Sequence, residues 1–173
     1  FIGDVFNHRK VTNAVHEEGG KILMQILHAG RYAYHPKAVS ASATQSPISP
    51  FPARELTDEQ VRAAIQDFAR CAVLAQEAGY DAVEIMGSEG YLLNQFLAPA
   101  TNHRRDRWGR TSEGRRAVPL AIAAALVTVL WTRLLRTDDS AVIRVRRRDD
   151  EHVEVWGRTG FGVLAVRVLT GSV

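Results

Sequence analysis

The sequence is short of cysteine and of long uncharged runs, and each shortage excludes a class of protein. Cys71 is the only cysteine in the chain, so an internal disulfide and a multi-cysteine metal or iron–sulfur site are excluded. The longest uncharged run, 117–132, contains Pro119 and falls short of the roughly 20 residues that span a bilayer. We therefore predict a cytoplasmic protein without a metal site or a membrane segment, and we place Cys71 in a buried helix.

The charge is also too balanced to indicate a nucleic-acid partner. The 22 Lys and Arg residues exceed the 19 Asp and Glu residues by only three, and many of the arginines lie beyond Arg104. The arginine-rich run 144–148 is followed at once by three acidic residues, which cancel most of its field. A composition of 46% hydrophobic and 24% charged residues is that of an ordinary globular protein, and we predict no nucleic-acid binding.

The amino-terminal third predicts a helix followed by a strand. Residues 4–18 read as a helix whose apolar spacing is set by Val5, Val11, Ala14 and Val15. Residues 21–27 are almost continuously apolar, which is typical of a strand covered on both faces in a parallel sheet. Gln25 is the one polar residue that interrupts this strand.

A second helix and strand follow a long proline-rich loop. The loop runs from 28 to 56, and its four prolines prevent any long regular element there. Thr57 and Gln60 have the spacing of a capping box and predict the start of the next helix. A buried strand is expected over 81–86. The order helix, strand, helix, strand predicts right-handed βα units and a parallel sheet.

The apolar pattern also predicts the buried side of the second helix and the elements that follow that helix. The inward side of the second helix is predicted at five positions: Val61, Ala64, Ile65, Phe68 and Ala72. A further apolar helix is predicted over 112–133. Three strand-like segments follow it, at 141–145, 153–156 and 162–169.

Two residues at the predicted strand ends have side chains suited to chemistry, and ligands of parallel α/β folds bind at those ends. The Gln25 amide can match the alternating acceptor and donor edge of a flavin pyrimidine ring, or it can bond to a neighbouring backbone. The Tyr91 hydroxyl can act as a general acid at neutral pH, or the ring can simply cover the start of a short helix. The residues alone do not decide between the two roles given for Gln25 or between the two given for Tyr91.

Three segments in a fixed order resemble the old yellow enzyme family of NADH:flavin oxidoreductases. They are 25–32 (QILHAGRY), 78–85 (AGYDAVEI) and 87–97 (GSEGYLLNQFL). Met86 and Glu89 resemble the 2,4-dienoyl-CoA reductase-like branch. The match continues through a polar loop, at Asn102, Arg105, Asp106, Trp108 and Gly109.

The resemblance implies an α/β fold that is an incomplete TIM (β/α)8 barrel, from about the second helix through the fourth or fifth βα unit. Because the chain starts at Phe1 inside a predicted helix, we interpret it as a partial chain. Residues 1–136 are expected to form a partial FMN-binding barrel. Residues 137–173 are expected to be a divergent tail, and its Arg-, Val- and Thr-rich composition suggests a shifted reading frame.

The resemblance also implies a function. Gln25 takes the place of the glutamine that binds the flavin pyrimidine, and Tyr91 that of the tyrosine that protonates the substrate. The expected cofactor is FMN with NAD(P)H as reductant, and the expected substrate is an enoyl or dienoyl thioester. The 4Fe-4S centre and FAD of full-length relatives have no support in this chain. The alternative is an inactive, truncated remnant without stable cofactor binding.

The same resemblance bears on three further residues. His28 and Arg31 belong to the first motif and are expected to support the loop rather than to take part in chemistry. Arg144 is a candidate for the arginine that contacts the flavin from the fifth strand of the family's barrel.

Overall fold

A computed structural model describes residues 2–137, 142–149, 152–159 and 162–169, with the side chains of 4–129. The helices are α1 (Ile2–Glu17), α2 (Asp58–Glu77), α3 (Leu92–Leu97) and α4 (Ser112–Thr137). The strands are β1 (Leu23–Ile26), β2 (Val39–Ser40), β3 (Arg54–Glu55), β4 (Ala82–Ile85), β5 (Val142–Asp149), β6 (His152–Thr159) and β7 (Gly162–Leu169). Each predicted helix and strand is therefore present, with ends shifted by a few residues.

The main sheet has the order β1-β4-β7-β6-β5. β1 pairs with β4 in parallel, as the alternating helices and strands predicted, and β4 pairs with β7 in parallel as well. β7, β6 and β5 then form an antiparallel meander. The short strands β2 and β3 pair within the long loop. The part from β1 through α4 is a stretch of an incomplete α/β barrel.

α2 begins as its sequence predicts. The Thr57 hydroxyl accepts a hydrogen bond from the Gln60 backbone N–H at 3.2 Å, and the Gln60 side chain accepts from the Thr57 N–H at 3.0 Å. These two bonds satisfy backbone donors that have no partner inside the helix. The helix packs on the sheet through an apolar stripe of Val61, Ile65, Phe68, Ala69, Ala72 and Ala75.

One face of β1 is open, against the prediction of a strand covered on both faces. Ile26 is buried under α2, whereas Leu23 is 54% and Leu27 41% exposed. Alternate residues of a strand point to opposite faces, so Leu23, Gln25 and Leu27 share the open side.

Two predictions about helix faces are wrong. Cys71 is exposed rather than buried, because it lies beside the apolar stripe of α2 and not in it. Val11 of α1 is 51% exposed, and the buried residue of α1 is Thr12. The Thr12 hydroxyl donates to the Ala78 carbonyl at 2.7 Å. A polar contact with the end of α2 therefore decides which side of α1 is buried.

A buried arginine joins the loops above the sheet. Arg104 is 6% exposed, and its Nη1 donates to the carbonyls of Ala41 at 3.0 Å and Leu56 at 2.6 Å. Its Nε donates to both carboxylate oxygens of Asp106 at 3.0 and 3.1 Å. One guanidinium thus fixes the loop before α2 against the loop before α4, because its donors point in several fixed directions.

We expect Arg104→Lys to lower the free energy of unfolding by about 2–4 kcal/mol, because a single ammonium cannot replace donors in all these directions. Urea denaturation measures the loss. Arg105→Lys is the matched control, since Arg105 is exposed and should change stability by no more than about 0.5 kcal/mol. Equal effects of the two substitutions would contradict the role of Arg104.

The first residue of α2 gathers a second set of donors. Asp58 accepts from Arg62 Nε at 2.9 Å, from Trp108 Nε1 at 2.7 Å and from Arg107 Nη2 at 2.7 Å. The hydrogen bond from Arg62, followed by those from Trp108 and Arg107, lowers the pKa of Asp58 to about 2. The Arg107 guanidinium also stacks 4.2 Å from the Trp108 ring centroid, so Asp58 connects α2 to the loop before α4.

Because the pKa of Asp58 is lowered, the stability of the fold depends on pH in the acid range. The contribution of the carboxylate is present above the ordinary aspartate pKa of about 3.9 and is lost as the pH falls towards about 2. We expect Asp58→Asn to lower the melting temperature near neutral pH, with the difference from the unsubstituted chain shrinking as the pH falls through this window. Glu59→Gln makes the same charge change at the next, exposed position. A pH-independent difference for Asp58→Asn would rule out this account.

Candidate active site

The pairing of β1 with β4 sets the two predicted site segments side by side. Gln25 pairs in register with Glu84, and Ile26 pairs with Ile85. The Met86 N–H donates to the Ile26 carbonyl at 3.0 Å, so the chain leaves both strands at the same edge of the sheet. The Gln25 side chain is exposed on the open face and makes no hydrogen bond to another described residue.

The turn after β4 depends on two consecutive residues in the left-handed region. Glu89 has φ +63° and Gly90 has φ +79°, a conformation that is unfavourable for any residue except glycine. The turn reverses the chain into α3, and the Leu92 N–H donates to the His28 carbonyl at 3.0 Å. The loop after β4 is thereby fastened to the end of β1.

Tyr91 stands at the N-cap of α3 and is half-buried. Its ring meets the Tyr32 ring edge to face, with 5.8 Å between the centroids. Within the described part of the chain the Tyr91 hydroxyl has no hydrogen-bond partner. Its backbone is held, since the Tyr91 carbonyl accepts from the Gln95 N–H at 2.9 Å. Tyr91 therefore combines a fixed backbone with an uncommitted hydroxyl.

His28 and Arg31 lie in the loop after β1, as the first motif required. The His28 Nδ1 accepts a hydrogen bond from the Gly30 N–H at 3.0 Å, and burial lowers the pKa of His28 below its ordinary value. The imidazole is therefore kept neutral, with Nδ1 as an acceptor. The Arg31 guanidinium lies 5.5 Å from the Tyr32 ring centroid. Both contacts lie within the loop after β1, and the supporting role of the two residues stays a prediction.

Sequence reasoning missed a buried glutamine that lies beneath this site. Gln95 is 1% exposed, and its side chain bonds to groups of Arg31, Ser40 and Gly90. The signal available was its position four residues after Tyr91, which puts it on the same side of a helix. Its partners are distant in sequence, so no local pattern identified them.

The candidate arginine of the fifth strand is misplaced in the prediction. Arg144 lies on β5, which forms the far edge of the sheet from β1. The strand beside β4 is β7, where Arg167 pairs in register with Glu84. The strand next to β4 is therefore β7 rather than β5, because β7 is the strand of the meander that pairs with β4.

The described residues offer neither a metal site nor a membrane-spanning helix. No group of three or more His, Cys, Asp or Glu side chains among them is arranged to hold a metal ion. None of their helices has the length and apolar character needed to cross a membrane.

The family of this chain follows from its match to the profile of a known protein family. The profile of the NADH:flavin oxidoreductase / NADH oxidase family matches residues 3–136. The chain belongs to this family. The match extends beyond Gly109, the last residue that carries the resemblance in the sequence. A second profile, described only as a domain of unknown function, matches residues 117–173.

The curated relatives of this family member are considerably longer. A metal reductase of Desulforamulus reducens is 36% identical over 148 residues, which is 82% of this chain and 21% of that protein. An NADPH dehydrogenase of Listeria monocytogenes is 35% identical over 145 residues, which is 83% of this chain and 41% of that protein. The chain therefore spans between about one fifth and two fifths of these relatives.

Solved structures of the family share the fold. The old yellow enzyme homologue from Zymomonas mobilis gives a TM-score of 0.69 at 29% identity, over 73% of this chain and 39% of that one. Morphinone reductase in complex with tetrahydroNAD gives 0.67 at 30% identity, over 70% of this chain and 39% of that one. These matches support the prediction of an incomplete barrel.

The turn that presents Tyr91 gives a test of its packing. A Cβ on Gly90 would lie 2.5 Å from the Tyr32 hydroxyl and 2.9 Å from its Cε2. We expect Gly90→Ala to lower the free energy of unfolding by about 1–3 kcal/mol, from backbone strain and overpacking together.

Gly19→Ala is the matched control for this substitution. Gly19 has a similar φ of +74° with no atom within 4 Å of the added Cβ, so its cost of about 1 kcal/mol is that of the backbone alone. Thermal or urea unfolding compares the two variants. If Gly90→Ala costs no more than Gly19→Ala, the Tyr32 ring does not fill the space at Gly90.

Proposed function

We propose that the protein takes part in flavin-dependent reduction of a conjugated C=C bond, with Tyr91 as the proton donor and Gln25 as a flavin contact. The observation that carries the proposal is the placement of these two residues at neighbouring strand ends of a family fold that is built around FMN. When bound, reduced FMN supplies a hydride to the alkene. Every other part of the proposal concerns side chains of this chain.

The Gln25 amide fits the edge of the flavin pyrimidine ring. It is exposed on the open face of β1, and its donor and acceptor are uncommitted among the described residues. A flavin pyrimidine offers acceptor and donor atoms in alternation, which one amide can match. Gln25 would therefore hold this edge of FMN.

Tyr91 meets the requirements of a general acid. A tyrosine hydroxyl is protonated at neutral pH and can transfer its proton to carbon as negative charge develops there. The Tyr91 hydroxyl is not used within the described structure, and the N-cap position fixes its backbone. Tyr91 would thus protonate one carbon of the former double bond while the other carbon accepts the hydride.

We infer the substrate class from the sequence of the turn. Met86 and Glu89 are the residues that resemble the 2,4-dienoyl-CoA reductase-like branch, and both lie within five residues of Tyr91. The proposed substrate is accordingly an enoyl or dienoyl thioester, with NAD(P)H as the source of electrons. The NADPH dehydrogenases among the relatives support the coarser class of nicotinamide-dependent oxidoreductase.

One observation favours the alternative of a remnant without stable cofactor binding. The strand beside β4 is followed by antiparallel neighbours, whereas the barrel of the family needs further parallel strands to close around its ligand. Leu23 and Leu27 are also exposed on the open face. An open sheet of this kind holds a flavin ring from one side only.

A flavin-retention experiment separates the two functions. The chain is mixed with FMN, desalted and examined by visible absorbance. The proposed function predicts a retained yellow colour that Gln25→Leu weakens, whereas the exposed control Gln66→Leu leaves it unchanged. A colourless sample of the unsubstituted chain supports the remnant instead.

The role of Tyr91 is tested on the flavin-loaded protein. With NADPH and a 2,4-dienoyl thioester, Tyr91→Phe should keep the colour and slow alkene reduction by about 10²–10⁴-fold, the usual contribution of a positioned acid. Tyr34→Phe is the control, since Tyr34 is 73% exposed. Unchanged turnover in Tyr91→Phe rules out the proton-donor role even if flavin is retained.

A further inference from the structure

We propose that Gln95 is a positioning residue for Tyr91, acting through the peptide groups on either side of it. The inference rests on the proposed function for its catalytic meaning, since a proton donor must be held in a defined direction. It is carried by the hydrogen bonds of one buried amide. Nothing in the sequence motif alone assigns this task to Gln95.

The side chain of Gln95 joins three separate segments. Its Oε1 accepts from the Arg31 N–H at 3.1 Å and from the Ser40 hydroxyl at 2.9 Å. Its Nε2 donates to the Gly90 carbonyl at 2.6 Å. The loop after β1, the strand β2 and the turn after β4 therefore meet at a single carboxamide, which is 1% exposed.

Gly30 leaves room for this carboxamide. A Cβ at position 30 would overlap the Oε1, Cδ and Nε2 atoms of Gln95, so only a glycine there allows the amide to approach the backbone. The space around Gln95 is closed on this side, and the two Oε1 bonds fix which way the amide is turned. The Nε2 donor is thereby aimed at Gly90.

Both peptide groups that flank the Tyr91 Cα are held by Gln95. The side-chain amide binds the carbonyl of Gly90, which belongs to the peptide bond before Tyr91. The backbone N–H of Gln95 binds the carbonyl of Tyr91, which belongs to the peptide bond after it. The direction of the Cα–Cβ bond of Tyr91 follows from these two planes, and the edge contact with Tyr32 supports the ring.

The test replaces the amide by a carboxyl of the same shape. In Gln95→Glu the side chain cannot donate to the Gly90 carbonyl while it is ionised, but it can donate an O–H once it is protonated. Burial raises the pKa of such a carboxyl, so lowering the pH from about 8 to about 5 should restore the bond. Stability alone would not produce this reversal at one tyrosine.

The readout is ¹⁹F NMR of the chain labelled with 3-fluorotyrosine. The four tyrosines are assigned with single Tyr→Phe substitutions. We expect Gln95→Glu to shift the Tyr91 resonance at about pH 8 and to return it towards its original position at about pH 5. At a fixed pH the substitution should leave the Tyr80 resonance where it is in the unsubstituted chain, because Tyr80 packs against His8 on α1. Gln66→Glu makes the same chemical change at an exposed site and should leave Tyr91 unaffected.

Three results would overturn the proposal. They are an unmoved Tyr91 resonance in folded Gln95→Glu, a shift that does not reverse at low pH, and an equal shift in Gln66→Glu. If Gln95→Glu does not fold, Ser40→Ala decides, because it removes one Oε1 bond without burying a charge. It should shift the Tyr91 resonance by a smaller amount, and no shift would overturn the proposal.

A second readout uses the flavin-loaded protein. Gln95→Glu should lower kcat by about 10- to 100-fold at about pH 8, the cost of a displaced catalytic group, with little change in KM. Because the NMR experiment needs no flavin, it can contradict the positioning by Gln95 without contradicting the proposed function, and the flavin experiment can do the reverse. A shifted Tyr91 resonance in a chain that retains no flavin supports the positioning by Gln95 and contradicts the proposed function.

Discussion

The register between β1 and β4 is the constraint on which the site depends. Gln25 opposite Glu84 keeps the glutamine on the open face and Ile26 under α2. A slip of one residue would exchange the two faces, burying the amide and exposing the isoleucine. The register is stable because the apolar residues on the helix side specify it, so the core that stabilises the fold also keeps Gln25 on the exposed face of β1.

The loops above this register are held by buried polar groups as well as by apolar packing. Strand ends and turns expose carbonyls that need donors once they are covered, and buried side chains provide some of these donors. Arg104 supplies donors to the carbonyls of Ala41 and Leu56, and Gln95 supplies one to Gly90. Directional bonds of this kind define loop geometry more narrowly than contacts between methyl groups, and a site made of loops depends on such definition.

The sequence predicted what is local and missed what is distant. The Thr57–Gln60 cap, the order of elements and the parallel pairing depend on neighbouring residues and on chain connectivity, and all three are confirmed. Arg104 and Gln95 escaped prediction because their partners lie in other segments of the chain. Thr12 escaped for a related reason: apolar spacing identified valines, whereas a hydroxyl bonded to the end of α2 determines the buried side of α1.

The meander of β7, β6 and β5 explains why the same chain supports two alternative proposals, a flavin-dependent reductase and a remnant without stable cofactor binding. β7 lies parallel to β4 with Arg167 beside Glu84, which continues the sheet in the sense that the family's barrel requires. β6 then runs antiparallel and ends that sequence of parallel strands, because a parallel neighbour needs a crossover and a hairpin cannot provide one. The residues up to β7 therefore preserve the edge at which parallel strands end, and the strands after it limit how far a barrel wall can extend. Flavin binding accordingly tests whether the preserved edge suffices without the rest of the wall.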